Sequence, residues 1–292
     1  MFDVSPIRVC TPLNQSAEYG NALALVGAHT GRLADGTLVL RRKFRGLPVA
    51  MLPRAKVHRE TLKGLVRTAD LHRQLLVITP DHPSPWLSEL GAVPFMTPIY
   101  IAKLDLTGDL RATMHQKWRN RLVNAEQQNL RVTRQNLPEK PDQWLLEMDR
   151  KQQQTRGYAA WPEALTLAYA QANRGDAKLF TAFDGREPVA AMLILRHGES
   201  ATYHISHTTE AGRAASAHNL LLWEAMQWLT TKGVSSLDLG HIDTDKAPGL
   251  ARFKLGAGAT LHPLGGTWLW WPPLGNALTP LKYFAPREMR VM

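Results

Sequence analysis

Cysteine is almost missing from this sequence: Cys10 is the only one in 292 residues. That excludes an intramolecular disulfide framework and any cysteine-rich zinc site. No window approaches the ~20 consecutive apolar residues that a helix needs to span a bilayer. The amino terminus, Met1-Phe-Asp-Val-Ser-Pro-Ile-Arg8, lacks the basic region and apolar run of a secretory signal, so the expected location is cytoplasmic. No low-complexity tract, short-period repeat or metal-site spacing of His, Asp and Glu is present. Acidic residues are also in short supply, 25 against 35 Lys and Arg, leaving a formal charge of +10. The excess is uneven: residues 1–150 hold 21 basic against 14 acidic side chains, and the remainder 14 against 11. Such a surface fits polyanions such as nucleic acid, phosphorylated cofactors and anionic lipid, and equally serves solubility.

The chain is rich in short apolar segments separated by turn residues. Asn14 to Ala28 reads as a helix, and Leu38–Arg45 with Leu47–Leu52 as a hairpin around Gly46. Leu75–Thr79 is a buried strand closed by Pro80, Trp86–Leu90 a helical turn, and Pro98–Leu106 a strand. Asp109 is placed to cap one long helix to about Gln128, with Met114, Trp118, Leu122 and Ala125 on its inner face. Leu130–Thr133 is a strand, a helix runs from Pro138 and Pro141 through Met148, and another spans Trp161–Ala172. Ala177–Phe183 and Glu187–Arg196 form a hairpin around Asp184-Gly185, and Ala201–Ser206 continues the meander. A helix from about Ala217 to Lys232 stops at Gly233 and leads to the strand Ser235–Leu239. Both halves share a hairpin-to-helix plan, consistent with duplication. Two units are expected, residues 1–135 and 136–292.

Three blocks carry a family resemblance. They are Met114-His-Gln-Lys-Trp-Arg-Asn-Arg-Leu-Val-Asn-Ala-Glu126, Lys151-Gln-Gln-Gln-Thr-Arg-Gly-Tyr158, and the run from Leu220 through Gly233, Asp238-Leu-Gly240 and the turn Phe253-Lys-Leu-Gly256. In order and spacing they resemble the Fem-like branch of the GNAT acyltransferase superfamily, whose members transfer aminoacyl or acyl groups to amines. The resemblance spans most of residues 75–260. It implies an α/β (α+β) fold of two GNAT-like domains, each a mixed, mostly antiparallel sheet flanked by helices, with substrate in a channel between them. The chain departs from it in lacking a coiled-coil arm and in compressing the Thr155-Arg156-Gly157 block.

Amide formation from an activated acyl donor needs a neutral amine, an oxyanion stabiliser and a positioned leaving group. Lys254, between Phe253 and the glycines 256 and 258, can supply the cation, and the resemblance assigns the matching lysine that kind of role. A helix-end lysine complementing the helix dipole is the plainer alternative. Asp238, at the carboxyl end of a strand, can orient or deprotonate the amine, or simply cap loop amides. On a regular strand Tyr203 and His207 share the face of Ile205, with His204 opposite, so either can line an acyl channel. Arg213 and Ser216 precede the crossover helix where CoA-using members carry a glycine-bearing pyrophosphate loop; here Ser216 and His218 fill both glycine positions. Lys117, Arg119 and Arg121, with the Thr155–Arg156 turn, are candidates for holding a polyanionic donor. Trp268-Leu-Trp-Trp-Pro-Pro273 reads as a core strand or as an interfacial anchor.

The function expected is an N-acyltransferase that moves an aminoacyl group from aminoacyl-tRNA, a co-substrate, to an amine on a peptide, a cell-wall precursor or a small natural product. No separate cofactor is implied. Two alternatives stay open. One is an acyl-CoA-dependent N-acyltransferase, with Arg213 and Ser216 on the pyrophosphate. The other is a non-catalytic protein whose basic helix and Trp-rich segment bind RNA or a membrane surface.

Overall fold

The computed structural model describes residues 10–141, 143–157, 160–277, 280 and 289. Helix α1 (Ala17–Leu25) starts where the Ser16 hydroxyl accepts the Tyr19 N–H. Strands β1 (Thr30–Arg32), β2 (Leu38–Phe44) and β3 (Leu47–Ala55) then meander. Arg45 and Gly46, at φ 50° and 85°, make the tight β2–β3 turn that suits the twist of a hairpin. Helix α2 (Leu62–Thr68) crosses to β4 (Leu75–Pro80), which pairs parallel with β3. A 3-10 turn over Pro85–Leu90 leads to β5 (Val93–Met96).

There follow β6 (Tyr100–Asp105), α3 (Leu110–Thr113), α4 (Gln116–Gln127), β7 (Leu130–Asn136), α5 (Trp144–Arg156) and α6 (Glu163–Ala172). The meander β8 (Ala177–Asp184), β9 (Glu187–His197) and β10 (Ser200–Thr208) comes next, then α7 (Glu210–Ala214), the crossover helix α8 (Ala217–Thr231) and β11 (Ser236–His241). The chain closes with α9 (Pro248–Gly256), β12 (Thr260–Pro263) and β13 (Thr267–Trp270).

The strands make two sheets, β1-β2-β3-β4-β13-β5 and β12-β6-β11-β10-β9-β8-β7. Each holds one parallel pair reached by a helix, β3–β4 through α2 and β10–β11 through α8. The expected order of meander, crossover helix and parallel strand over residues 177–239 is therefore present. Sheet pairing crosses the expected division at residue 135 twice. Strand β6 belongs to the second sheet although it precedes that point, β7 of the same sheet runs across it, and β13 returns to the first. Trp268 and Trp270 are buried in β13, which makes the tryptophan-rich segment a core strand up to Trp270.

Three local expectations change. The long helix after Asp109 is two. Asp109 caps α3 by accepting the N–H groups of Arg111 and Ala112, but Met114 and His115 are extended before α4 begins. The His115 N–H is instead given to the Gly256 carbonyl, at 3.0 Å, so docking onto α9 breaks the helix. Helix α5 starts at Trp144 and runs to Arg156, so Thr155 lies in a helical turn capped by Gly157 at φ 65°; the Arg156 side chain and Tyr158 lie outside the described residues. The Phe253–Gly256 segment is the end of helix α9, not a turn.

One apolar cluster lies under α4 and α8 on one face of the second sheet. A second joins the other face, through Leu193 and Ile205, to α5, α6, α1 and Leu38 and Leu40 of the first sheet. The halves thus share a core. The third cluster fills the first sheet around Leu52, Ile78 and Trp268.

Candidate active site

Strands β10 and β11 pair only from Ser200–Ser236 to Thr202–Asp238, then part. Beyond that point β10 keeps its bonds to β9, and Gly240 and His241 of β11 pair with β6. The facing edges of the two strands are thus free of each other, and unpaired strand edges are a ready template for an amide-like ligand. Asp238 sits where they separate.

Asp238 is held on both oxygens. Its Oδ1 accepts the Gly240 N–H at 2.7 Å, and its Oδ2 accepts Arg54 NH1 at 2.6 Å. The same guanidinium gives Nε to Asp81 Oδ1 at 2.8 Å and makes an ion pair to that oxygen through NH2 at 2.7 Å. Arg54 thereby clamps a carboxylate of each sheet, with side-chain exposures of 16% for Arg54, 2% for Asp81 and 12% for Asp238. Burial pulls the guanidinium pKa down, but the charges of Asp238 and Asp81 outweigh it and raise it above its ordinary value. A buried pair needs such geometry to offset desolvation. Arg54 adopts φ 46°, unusual for a side-chain-bearing residue, at the irregularity that ends β3, and its N–H is held by Thr79 Oγ1 at 2.9 Å.

Lys254 is 5% exposed on the last turn of α9, and its Nζ donates to the His241 carbonyl at 2.8 Å. Burial draws its pKa down to about 8, opposed by the charge of Asp238. Gly240, at φ 78°, lies against it: a Cβ there would come 3.8 Å from Nζ. The glycines after Lys254 make room for neighbouring helices, not for a ligand. A Cβ on Gly256 would meet Trp118 Cδ1 at 2.9 Å, and one on Gly258 would meet Thr113 Oγ1 at 2.7 Å. They let α3 and α4 dock on α9, and Trp118 Nε1 locks the contact by donating to the Phe253 carbonyl at 3.0 Å. The start of α8 completes the surroundings, with the His218 ring 5.9 Å from Phe253.

A bulge at His204 overturns the expected faces of β10. Tyr203 pairs with Ile194 and Ile205 with Leu193, consecutive residues that point oppositely, so Tyr203 and Ile205 lie on different faces. Tyr203 packs against the α4–α8 cluster, its hydroxyl bonded to Ser206 Oγ, and burial pushes its pKa up to about 12. His204 bonds Thr166 Oγ1 at 3.0 Å, and His207 packs edge-on against Trp144, both on the side of α5 and α6. Tyr203 and His207 therefore do not line one channel.

The remaining candidates are spread around this centre. Ser216 takes φ 54°, the left-handed conformation a glycine would adopt, and Arg213 NH1 folds back onto the Thr208 carbonyl at 3.0 Å. Lys117 and Arg121 are exposed on one face of α4, whereas Arg119 turns to Gln116 at 2.8 Å. Thr155 Oγ1 bonds the Lys151 carbonyl at 2.9 Å. No hydrogen bond or ion pair links these side chains to Lys254 or Asp238 among the described residues. Sequence reasoning missed Arg54 and Asp81, whose only signal was a charge ending the apolar run Leu47–Leu52. His197, just past the expected strand end at Arg196, is a further residue the sequence did not single out. That ring is 3% exposed, bonds Thr202 Oγ1 at 2.9 Å, and is kept neutral by burial with a pKa of about 4.

The acetyltransferase (GNAT) domain model matches residues 110–255, half of the chain, and the chain belongs to that family. It is an acyltransferase by family, and its fold is the Fem-like one. FemX superposes with a TM-score of 0.73 at 14% identity, over 92% of this chain and 94% of that one. The C-terminal domain of a proposed lysylphosphatidylglycerol synthetase from Agrobacterium fabrum gives 0.58 at 15% identity, over 93% and 92%. L-PGS from Bacillus licheniformis gives 0.56 at 14%, also over 93% and 92%. At the level of sequence, none of the curated proteins compared matches the chain.

Proposed function

We propose that this member of the acetyltransferase (GNAT) family transfers an aminoacyl group from aminoacyl-tRNA to an amine, forming an amide. The observation that carries the chemistry is the buried Lys254 ammonium at the mouth of the parted strands, beside a carboxylate fixed by Arg54. The amine nitrogen of the acceptor bonds to the ester carbonyl carbon, and the oxygen gathers negative charge beside Lys254. The ester C–O bond then breaks, and the amine's proton goes to the leaving oxygen. A preorganised cation in a site shielded from water favours the transition state over the ground state. With both oxygens occupied, Asp238 serves best as the fixed charge that keeps Lys254 protonated, and Arg54 as a positioning residue. The tRNA donor is supported by the resemblance to Fem-like transferases, the fold shared with FemX and L-PGS, and the basic surface.

One observation favours acyl-CoA as a second reading. Ser216 keeps the left-handed backbone of a phosphate-binding loop despite its side chain. Thermal unfolding in the presence of CoA, acyl-CoA or aminoacyl-tRNA separates the two, because a ligand of the folded state raises the midpoint with its concentration. A rise with aminoacyl-tRNA, together with amine-dependent loss of its label, is the expected result. A rise with acyl-CoA alone would replace the donor.

A further inference from the structure

A cavity of about 720 Å³ lies at the far end of α8 from the site above. A helix of 15 residues is about 22 Å long, so Lys232 is that far from Ser216. The sheet face that carries α8 is apolar near its middle, with Phe180 and Ala182 on β8 and Met192 and Ile194 on β9. Continuing outward at the two-residue period of a strand, the same face presents Lys178 after Phe180, Arg196 after Ile194, and Arg134 after Val132 on β7. With Lys232 from the end of α8, four cations ring the cavity where the apolar face runs out.

Trp228 forms the floor. It is 6% exposed and held edge-on by Phe180, with ring centroids 5.9 Å apart. Arg134 lies 5.6 Å and Lys178 5.8 Å from its ring centroid, so the indole faces two of the cations. Acidic compensation is incomplete. Asp176 is engaged by Arg196, and Glu224 also lines the cavity, with no salt bridge among the described residues. Arg196 Nε is buried and has no acceptor among the described residues. Burial first, and then the charge of Arg134, pull the Lys178 pKa down, the condition that a bound anion relieves.

We propose that this cavity is an RNA-binding site that takes backbone phosphates. Its cations line a concavity, which a strand of phosphodiesters can enter and a flat lipid surface cannot. Its aromatic residue is buried under them and offers no wedge for a bilayer. The proposal goes beyond the acyl-transfer reading, since uncharged RNA suffices to test it and neither idea needs the other.

The experiment is binding of an uncharged tRNA transcript, followed by fluorescence anisotropy across a salt series. It compares the full chain with the triple variant Arg134→Gln, Lys178→Gln, Lys232→Gln, which leaves the Arg196–Asp176 pair in place. Each phosphate contact contributes about 0.7–0.9 to the slope of log affinity against log salt, so the slope should fall by about two. Affinity at low salt should drop at least ~10-fold. If the triple variant does not fold, Lys232→Glu alone, at an exposed position, should weaken binding in the same direction. Unchanged affinity and slope in these variants would overturn the proposal. So would variants that bind RNA normally but no longer bind phosphatidylglycerol vesicles, which would make the cavity a membrane contact.

Discussion

Lys254 illustrates how burial changes what a residue is able to do. An exposed helix-end lysine complements the dipole and little else; one drawn down to a pKa of about 8 is a cation held at some cost. If it stabilises an oxyanion it must be protonated, so the transfer rate per neutral acceptor amine should be level below pH 8 and fall as pH rises through about 8. Rate measurements from pH 6.5 to 9.5 would show this limb, and a rate that rises through pH 8 would instead make the neutral amine the working form. Lys254→Met, which keeps most of the volume, should lower the rate constant ~10²–10³-fold. Lys254→Ala carries the extra penalty of a cavity and an unbonded His241 carbonyl, so it is the poorer probe of chemistry. Arg54→Gln should destabilise the fold by roughly 3–5 kcal/mol, because two carboxylates then lose their buried partner. Urea unfolding at pH 7 measures that loss, and a change below ~1 kcal/mol would mean the clamp is not structural.

At the scale of elements, the contact of α4 with α9 sets the position of Lys254. Helix propensity alone would favour Gly256→Ala, but the new methyl would press on Trp118, which its indole hydrogen bond keeps from retreating. The expected outcome is a loss of ~1–3 kcal/mol in stability, the usual cost of overpacking, with a fall in transfer rate as α9 shifts. An equally stable, equally active variant would show that the interface adapts. The basic face of α4 behaves differently, because Lys117 and Arg121 are solvated and Arg119 bonds the side chain of Gln116 one turn before it. Converting all three to Gln should leave the unfolding midpoint nearly unchanged while weakening aminoacyl-tRNA binding and flattening its salt dependence. Unaltered binding would remove this helix from the donor site.

Across the whole molecule, three desolvated histidines, His197 buried and His204 and His218 half-buried, govern acid stability. Desolvation holds His197, His204 and His218 neutral, each with a pKa of about 4 against 6.5 in the unfolded chain. Their contribution is complete above pH 6.5 and is lost as pH falls through about 4, because the unfolded chain binds up to three more protons in that window. The slope reaches ~4 kcal/mol per pH unit at most. Denaturant titrations at pH 7 and pH 5 should therefore differ by up to roughly 5 kcal/mol. Equal stability at the two values would mean that these rings reach solvent or are already charged. The effect bears on the active site because His197 lies near Arg54 and Asp238 and would charge beside the clamp.

Much of the architecture is written locally. The Asp184-Gly185 turn, the Gly233 stop and the alternation along β8 and β9 are short-range signals, and they specify a meander, a crossover helix and a returning strand without reference to the rest of the chain. Lys254 and Asp238 stand out as candidates for the same reason, lying in one short stretch of motif. Arg54 is not, because 184 residues separate it from Asp238 and only the packing of one sheet against the other brings them to 2.6 Å. The bulge at His204 and the break between α3 and α4 also escape the sequence, since periodicity assumes a regular element and both are imposed by what packs against it. Local sequence chose the strands and helices. Long-range contact, which alone can bury an arginine between two carboxylates, decided which side chains meet.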